Sequence, residues 1–152
     1  MTQEYFADNS DREVISTRIF KTTRERLFTA WTNPEQLARW WGPSGFSNTF
    51  HEFDLQPGGY WRFTMHGPNG ANYENETVFI SIETPNEIIL DHISAPKFRV
   101  VATFTEDNGG TRLKFRQIFD TKELFEKLRS FVTDANEQNF DRLEALIADL
   151  YH

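Results

Sequence analysis

Three histidines, His51, His66 and His92, are the side chains best placed by type to hold a metal or move a proton near neutral pH. His51-Glu52 opens like the zinc-protease motif, in which two His four residues apart share one helix face. No second His follows at that spacing, and the segment reads as a strand. The three residues fall on three separate segments, and Cys, the other common zinc ligand, is absent. No metal and no other cofactor is expected. A nucleophilic triad needs a Ser or Cys held by His and a carboxylate, and no Ser here stands in an elbow motif. Glu52 and Asp54 form a carboxylate pair able in principle to do acid–base work. Asp54 stands three residues before Pro57-Gly58-Gly59, so a turn-holding role is the better reading. Asn75-Glu76-Thr77 fits a glycosylation acceptor, but without a secretory leader the match is read as chance. Gly67 to Gly70 has turn chemistry and no following helix, so it is not a phosphate loop.

Binding residues are easier to nominate than catalytic ones. Gln117 is a polar side chain on an otherwise apolar strand face, and a buried amide needs a partner. That partner is either a neighbouring side chain or a bound molecule or water. Trp40 and Trp41 are candidates for a shaped wall, one of them in the core and the other at the border of a cavity. Tyr73 and His92 fall near strand ends, where they would rim an opening.

Composition narrows the partners. The net charge is −7 and no Lys/Arg cluster appears, which argues against a nucleic-acid binder. No run approaches the roughly 18 apolar residues of a membrane span. Residues 1–11 carry Glu4, Asp8 and Asp11 and no apolar run, so they are expected to form a flexible segment rather than a leader. A cytoplasmic protein is expected. Fifteen Phe and four Trp supply either a solid ring-filled core or the lining of a hollow one.

The elements that must position these side chains follow from periodicity. Alternation with β-branched residues predicts a strand over 12–22. Thr23 is expected to cap a short helix that buries Leu27, Phe28 and Trp31. Asn33 and Pro34 stop that helix and start a second, which buries Leu37, Trp40 and Trp41 before Gly42-Pro43 ends it. Six turn-bounded strands are predicted over 46–55, 60–66, 76–83, 87–93, 97–105 and 111–119. No helical period interrupts them, so the sheet is antiparallel. Alternation places Trp61, Phe63 and Met65, then Val78, Ile80 and Ile82, then Phe98, Val100, Ala102 and Phe104, then Leu113, Phe115 and Gln117 on one concave face. The tail is helical. Asp120 with Glu123 marks a start, and Leu124, Phe125, Leu128 and Phe131 share a face. Asp134 with Glu137 repeats the start before Phe140, Leu143, Ile147 and Leu150, leaving one kinked helix or two. The fold class is α+β: a seven-stranded curved antiparallel sheet around a C-terminal helix, with two short helices after the first strand.

At this resolution of detail the chain resembles a known family. Arg18-Ile19-Phe20, residues 28–35, Leu37 with Trp40-Trp41-Gly42-Pro43, Asp54 with Pro57-Gly58-Gly59, residues 63–65 with Gly67-Pro68 and Gly70, residues 82–85 and residues 109–113 are similar to the activator-of-Hsp90-ATPase-homologue-like family. That family belongs to the START-like (Bet v 1-like, polyketide cyclase-related) superfamily. The resemblance spans about residues 12–150, and one domain over 12–152 is expected. It implies a helix-grip fold with a cavity between sheet and terminal helix. One departure stands out: the family often carries Gly-Trp shortly before the last helical Leu run, where this chain reads Asn136-Glu137-Gln138-Asn139-Phe140.

The expected function is a binding module for a small apolar or aromatic molecule. The expected contact residues are Trp40, Trp41, Trp61, Phe63, Met65, Tyr73, Val78, Ile80, His92, Val100, Phe115, Gln117 and Phe140. The alternatives are a regulator of Hsp90 or another protein partner, and a cyclase- or hydratase-like enzyme using the same cavity. No catalytic residue is nominated.

Overall fold

The computed structural model describes residues 11–151, so the expectation for the N-terminal segment falls almost wholly outside the described residues. Strand β1 (Glu13–Phe20) leads into helices α1 (Arg24–Thr32) and α2 (Pro34–Trp40). Six strands follow: β2 (Ser47–Phe53), β3 (Tyr60–His66), β4 (Asn72–Glu83), β5 (Glu87–His92), β6 (Phe98–Asp107) and β7 (Gly110–Phe119). Helix α3 (Lys122–Leu150) closes the chain. The sheet runs β1-β7-β6-β5-β4-β3-β2, antiparallel throughout. Strands β1 and β2 are therefore opposite edges, and α1 with α2 carries the chain from one edge to the other.

Local chemistry accounts for the helix ends. The Thr23 hydroxyl accepts from the Arg26 N–H, and the Asn33 side chain accepts from Glu35 and Gln36 N–H. Asn33 also ends α1, its own N–H donating to the Thr29 carbonyl. One residue thus stops one helix and caps the next, with Pro34 at the first position where no N–H is needed. In the turn before β3, a Cβ on Gly59 would lie 2.0 Å from the Asp54 carbonyl, so only glycine fits there. Asp54 accepts from Gln56 Nε2 at 3.0 Å and holds the same turn.

The main core lies between the concave face and the helices. It contains Trp31, Trp40, Trp61, Phe63, Phe79, Phe104, Phe115 and Phe140, each at most 2% exposed. A smaller cluster on the outer face joins Ile89, Val101 and Ile118 with Ile80.

Three expectations are corrected. Strand β4 does not alternate evenly: its pairing with β5 shifts between Phe79 and Ser81, a bulge that inserts one residue. Thr77 and Phe79 are the buried side chains before it, so Val78 and Ile80 do not face the helix. Ile82, beyond the bulge, returns to the main core. The tail, left open between one kinked helix and two, is one 29-residue helix. It is capped by Thr121, whose hydroxyl accepts from Leu124 N–H, and not by Asp120. Phe131 leaves the face it was assigned to and is 66% exposed. Among the described residues no helix is long and apolar enough to cross a membrane.

Candidate functional site

A pocket of about 450 Å³ lies between the sheet and the middle of α3. The sheet supplies Met65, Tyr73, Asn75, His92, Phe98, Phe115, Gln117 and Phe119. Helix α3 supplies Leu128, Phe131, Val132, Ala135, Asn136 and Asn139. The loop after α2 adds Trp41, Gly42, Pro43 and Phe46, and Pro96 comes from the β5–β6 loop. No Asp, Glu, Lys or Arg is among these side chains. Size and lining fall in the range of small-molecule sites, which are mostly apolar with a few placed polar groups.

Those polar groups form a chain. The backbone N–H of Gly42 donates to Asn139 Oδ1 at 2.8 Å. Asn139 Nδ2 donates to Asn136 Oδ1 at 3.4 Å, and Asn136 Nδ2 to Gln117 Oε1 at 3.2 Å. All three amides are at least nine-tenths buried. The same stretch of α3 fixes the wall loop: Gln138 accepts from Ser44 N–H, and the Arg142 guanidinium donates to the carbonyls of Gly42, Pro43 and Arg39. Burial lowers the Arg142 pKa. Gly42 turns the loop at φ +103°, a conformation open at little cost only to glycine. Residues 136–139 are thus the segment that ties helix, strand and loop together.

His92 stands at the other wall, stacked on Phe98 at 4.6 Å. Its Nδ1 lies 2.7 Å from the Pro96 carbonyl and its Nε2 2.7 Å from Asn75 Oδ1. Burial pushes its pKa below the ordinary 6.5, against the opposing pull of the Pro96 carbonyl. His66 bonds Thr49 and Asn72, and His51 bonds Thr64, so the three histidines serve three separate places. A second depression of about 390 Å³ shares His92, Phe98 and Phe119 and adds Arg12, Lys97 and Arg99. Asp91 and Asp120 stand among these cations, and Arg99 is bound twice by Asp91.

Of the residues nominated from sequence, Trp41, Met65, Tyr73, His92, Phe115 and Gln117 line the pocket together. Trp40, Trp61, Phe63, Val100 and Phe140 do not reach it. They are buried in the main core, and Trp40 Nε1 donates to the Ala30 carbonyl at 2.9 Å. Val78 and Ile80 are turned to the other face by the β4 bulge. Sequence reasoning missed Asn75, Asn136, Asn139 and Phe131. Asn136 and Asn139 left a readable trace, because they interrupt with polar side chains the same helical face that carries Phe140 and Leu143.

A curved sheet closed by a long helix over a partly apolar pocket defines a helix-grip protein. Within that class, the family model for activator of Hsp90 ATPase homolog 1-like protein matches residues 21–148, and the chain belongs to that family. Solved structures agree on the fold. A Rhodobacter sphaeroides protein shares 24% identity over 95% of this chain and 97% of its own, with TM-score 0.84. A Mycobacterium smegmatis protein shares 24% over 95% and 96%, with TM-score 0.83. An AHSA1-like protein from Aeromonas hydrophila shares 18% over 92% and 96%, with TM-score 0.74. None of the curated proteins matches the chain.

Proposed function

We propose that this protein binds a small apolar or aromatic molecule in the pocket between its sheet and α3. The observation that supports this reading is the uncharged, mostly apolar lining around about 450 Å³, with a buried amide chain reaching into it. The amide chain ties α3 to the loop after α2, and its members also line the pocket, where a binding site needs a few polar groups to orient its guest. Acid–base catalysis is the weaker reading, because His92 and Tyr73 are the titratable side chains of the lining and neither has a carboxylate beside it there. The test is native mass spectrometry of protein purified from its own cell extract. A retained small molecule, released on denaturation, is the expected result. Bare protein before and after incubation with a panel of neutral aromatic compounds would remove the binding-module reading and favour a surface interaction with a protein partner.

A further inference from the structure

We infer that the pocket selects an uncharged molecule bearing a hydrogen-bond acceptor of the carbonyl kind, read by the Gln117 carboxamide. This deepens the binding reading above and rests on it.

The argument starts at a group whose polarity is not open to choice. The Gly42 backbone N–H can only donate, so Asn139 must turn its oxygen toward it. Asn139 Nδ2 then faces Asn136, which must answer with Oδ1. Asn136 Nδ2 in turn meets Gln117 Oε1. Turning any one amide over would set nitrogen against nitrogen or oxygen against oxygen along the chain. The orientation of Gln117 is thus dictated from the loop after α2, through two asparagines. What the chain presents at its pocket end is the Gln117 NH₂, a pair of donors. Gln117 is 6% exposed and lines the pocket. Among the described residues no protein acceptor is hydrogen-bonded to that NH₂. That NH₂ opens on pocket space, where water is its alternative partner. A guest that displaces the water and offers no acceptor strands the donor, so a guest that supplies an oxygen there gains over an isostere that does not.

Charge is excluded by the same inventory. A carboxylate brought among these walls would lose its hydration and find no cation in the lining. The Arg142 guanidinium is already occupied by the carbonyls of Gly42, Pro43 and Arg39. Both ring nitrogens of His92 are engaged by Pro96 and Asn75. Neither is free to turn toward a guest anion.

The test compares three molecules of nearly one shape by NMR titration of the intact chain: 2-acetylnaphthalene, 2-isopropenylnaphthalene and 2-naphthoate. The ketone and the alkene differ only in whether an oxygen or a CH₂ group points at Gln117. The ketone should bind about 3- to 10-fold more tightly than the alkene, the ratio one net hydrogen bond gives. Naphthoate should bind more weakly than either. The Gln117 side-chain NH₂ signals should move further downfield with the ketone than with the alkene, which shares its ring current but not its hydrogen bond. In Gln117→Leu the ketone's advantage should vanish while the alkene binds at least as well as before. An alkene that binds as tightly as the ketone to the native chain overturns the acceptor assignment and leaves the pocket standing. Naphthoate as the tightest ligand overturns the neutral assignment. Failure of the alkene and the ketone alike overturns the binding reading itself.

Discussion

Trp40 and Trp41 are neighbours in sequence with different fates, and the cause is where α2 stops. Trp40 is the last helical residue and is fully buried against α1. Trp41 is the cap, in extended conformation, and its ring swings toward the pocket. Trp40→Ala is expected to cost about 3–5 kcal/mol, as large aromatic truncations in cores do. Phe131→Ala removes a ring that lines the pocket but is mostly in water, so urea denaturation should show a change within about 0.5 kcal/mol. A loss above about 2 kcal/mol at Phe131 would mean that its ring is packed. His92 makes a third residue-scale prediction. Its folded pKa is lowered by burial, so below 6.5 the unfolded chain takes up the proton first. The contribution to stability is complete above pH 6.5, shrinks as the pH falls through 6.5, and levels off below the folded pKa. The ring-proton NMR signal of His92 should titrate with a midpoint below 6.5. A midpoint at or above 6.5 would contradict the burial argument.

At the scale of elements, α3 grips the sheet with two kinds of contact. Phe140 and Leu143, both fully buried, supply the apolar grip. Each truncation to Ala should cost about 2–5 kcal/mol in chemical denaturation. Asn139 supplies a polar one, to Gly42 N–H. Asn139→Ala would strand that buried N–H and should cost about 1–3 kcal/mol. If the cost were under about 0.5 kcal/mol, the loop would be held by Gln138 and Arg142 and not by Asn139. The sequence carried the apolar grip openly, since Phe140, Leu143 and Ile147 recur at helical spacing. It carried the continuity of α3 poorly, because Asp134 and Glu137 imitate a helix start inside a helix that packing holds together. The β4 bulge was not legible at all. Val78, Ile80 and Ile82 alternate as well as any strand, and only pairing against β5 shows that one residue is extra. That single insertion is why two nominated contact residues face the wrong way.

For the molecule as a whole, the succession of strands and their antiparallel pairing were readable because turn residues and alternation are local signals. The place of β1 beside β7 is a long-range pairing that no local signal marks. The size of the pocket was not, because it depends on how far α3 stands from the sheet. That spacing is set by long-range contacts: Gln117 to Asn136, Arg142 to the loop after α2, and Arg18 on β1 to Glu137 and Asp141. The first two join walls of the pocket and the third anchors α3 to the sheet edge, so a guest between the walls should stabilise the whole fold rather than one element. Binding to the native state alone adds RT ln(1 + [L]/Kd), about 1.4 kcal/mol at ten times the dissociation constant. For a domain of this size that is roughly a 3–6 °C rise in Tm. 2-Acetylnaphthalene at ten times its measured dissociation constant should therefore raise the midpoint by that amount, with a single cooperative transition retained by circular dichroism and by tryptophan fluorescence alike. An unchanged midpoint at that concentration would mean that the compound binds folded and unfolded chains equally, and the space under α3 would then not be where it sits.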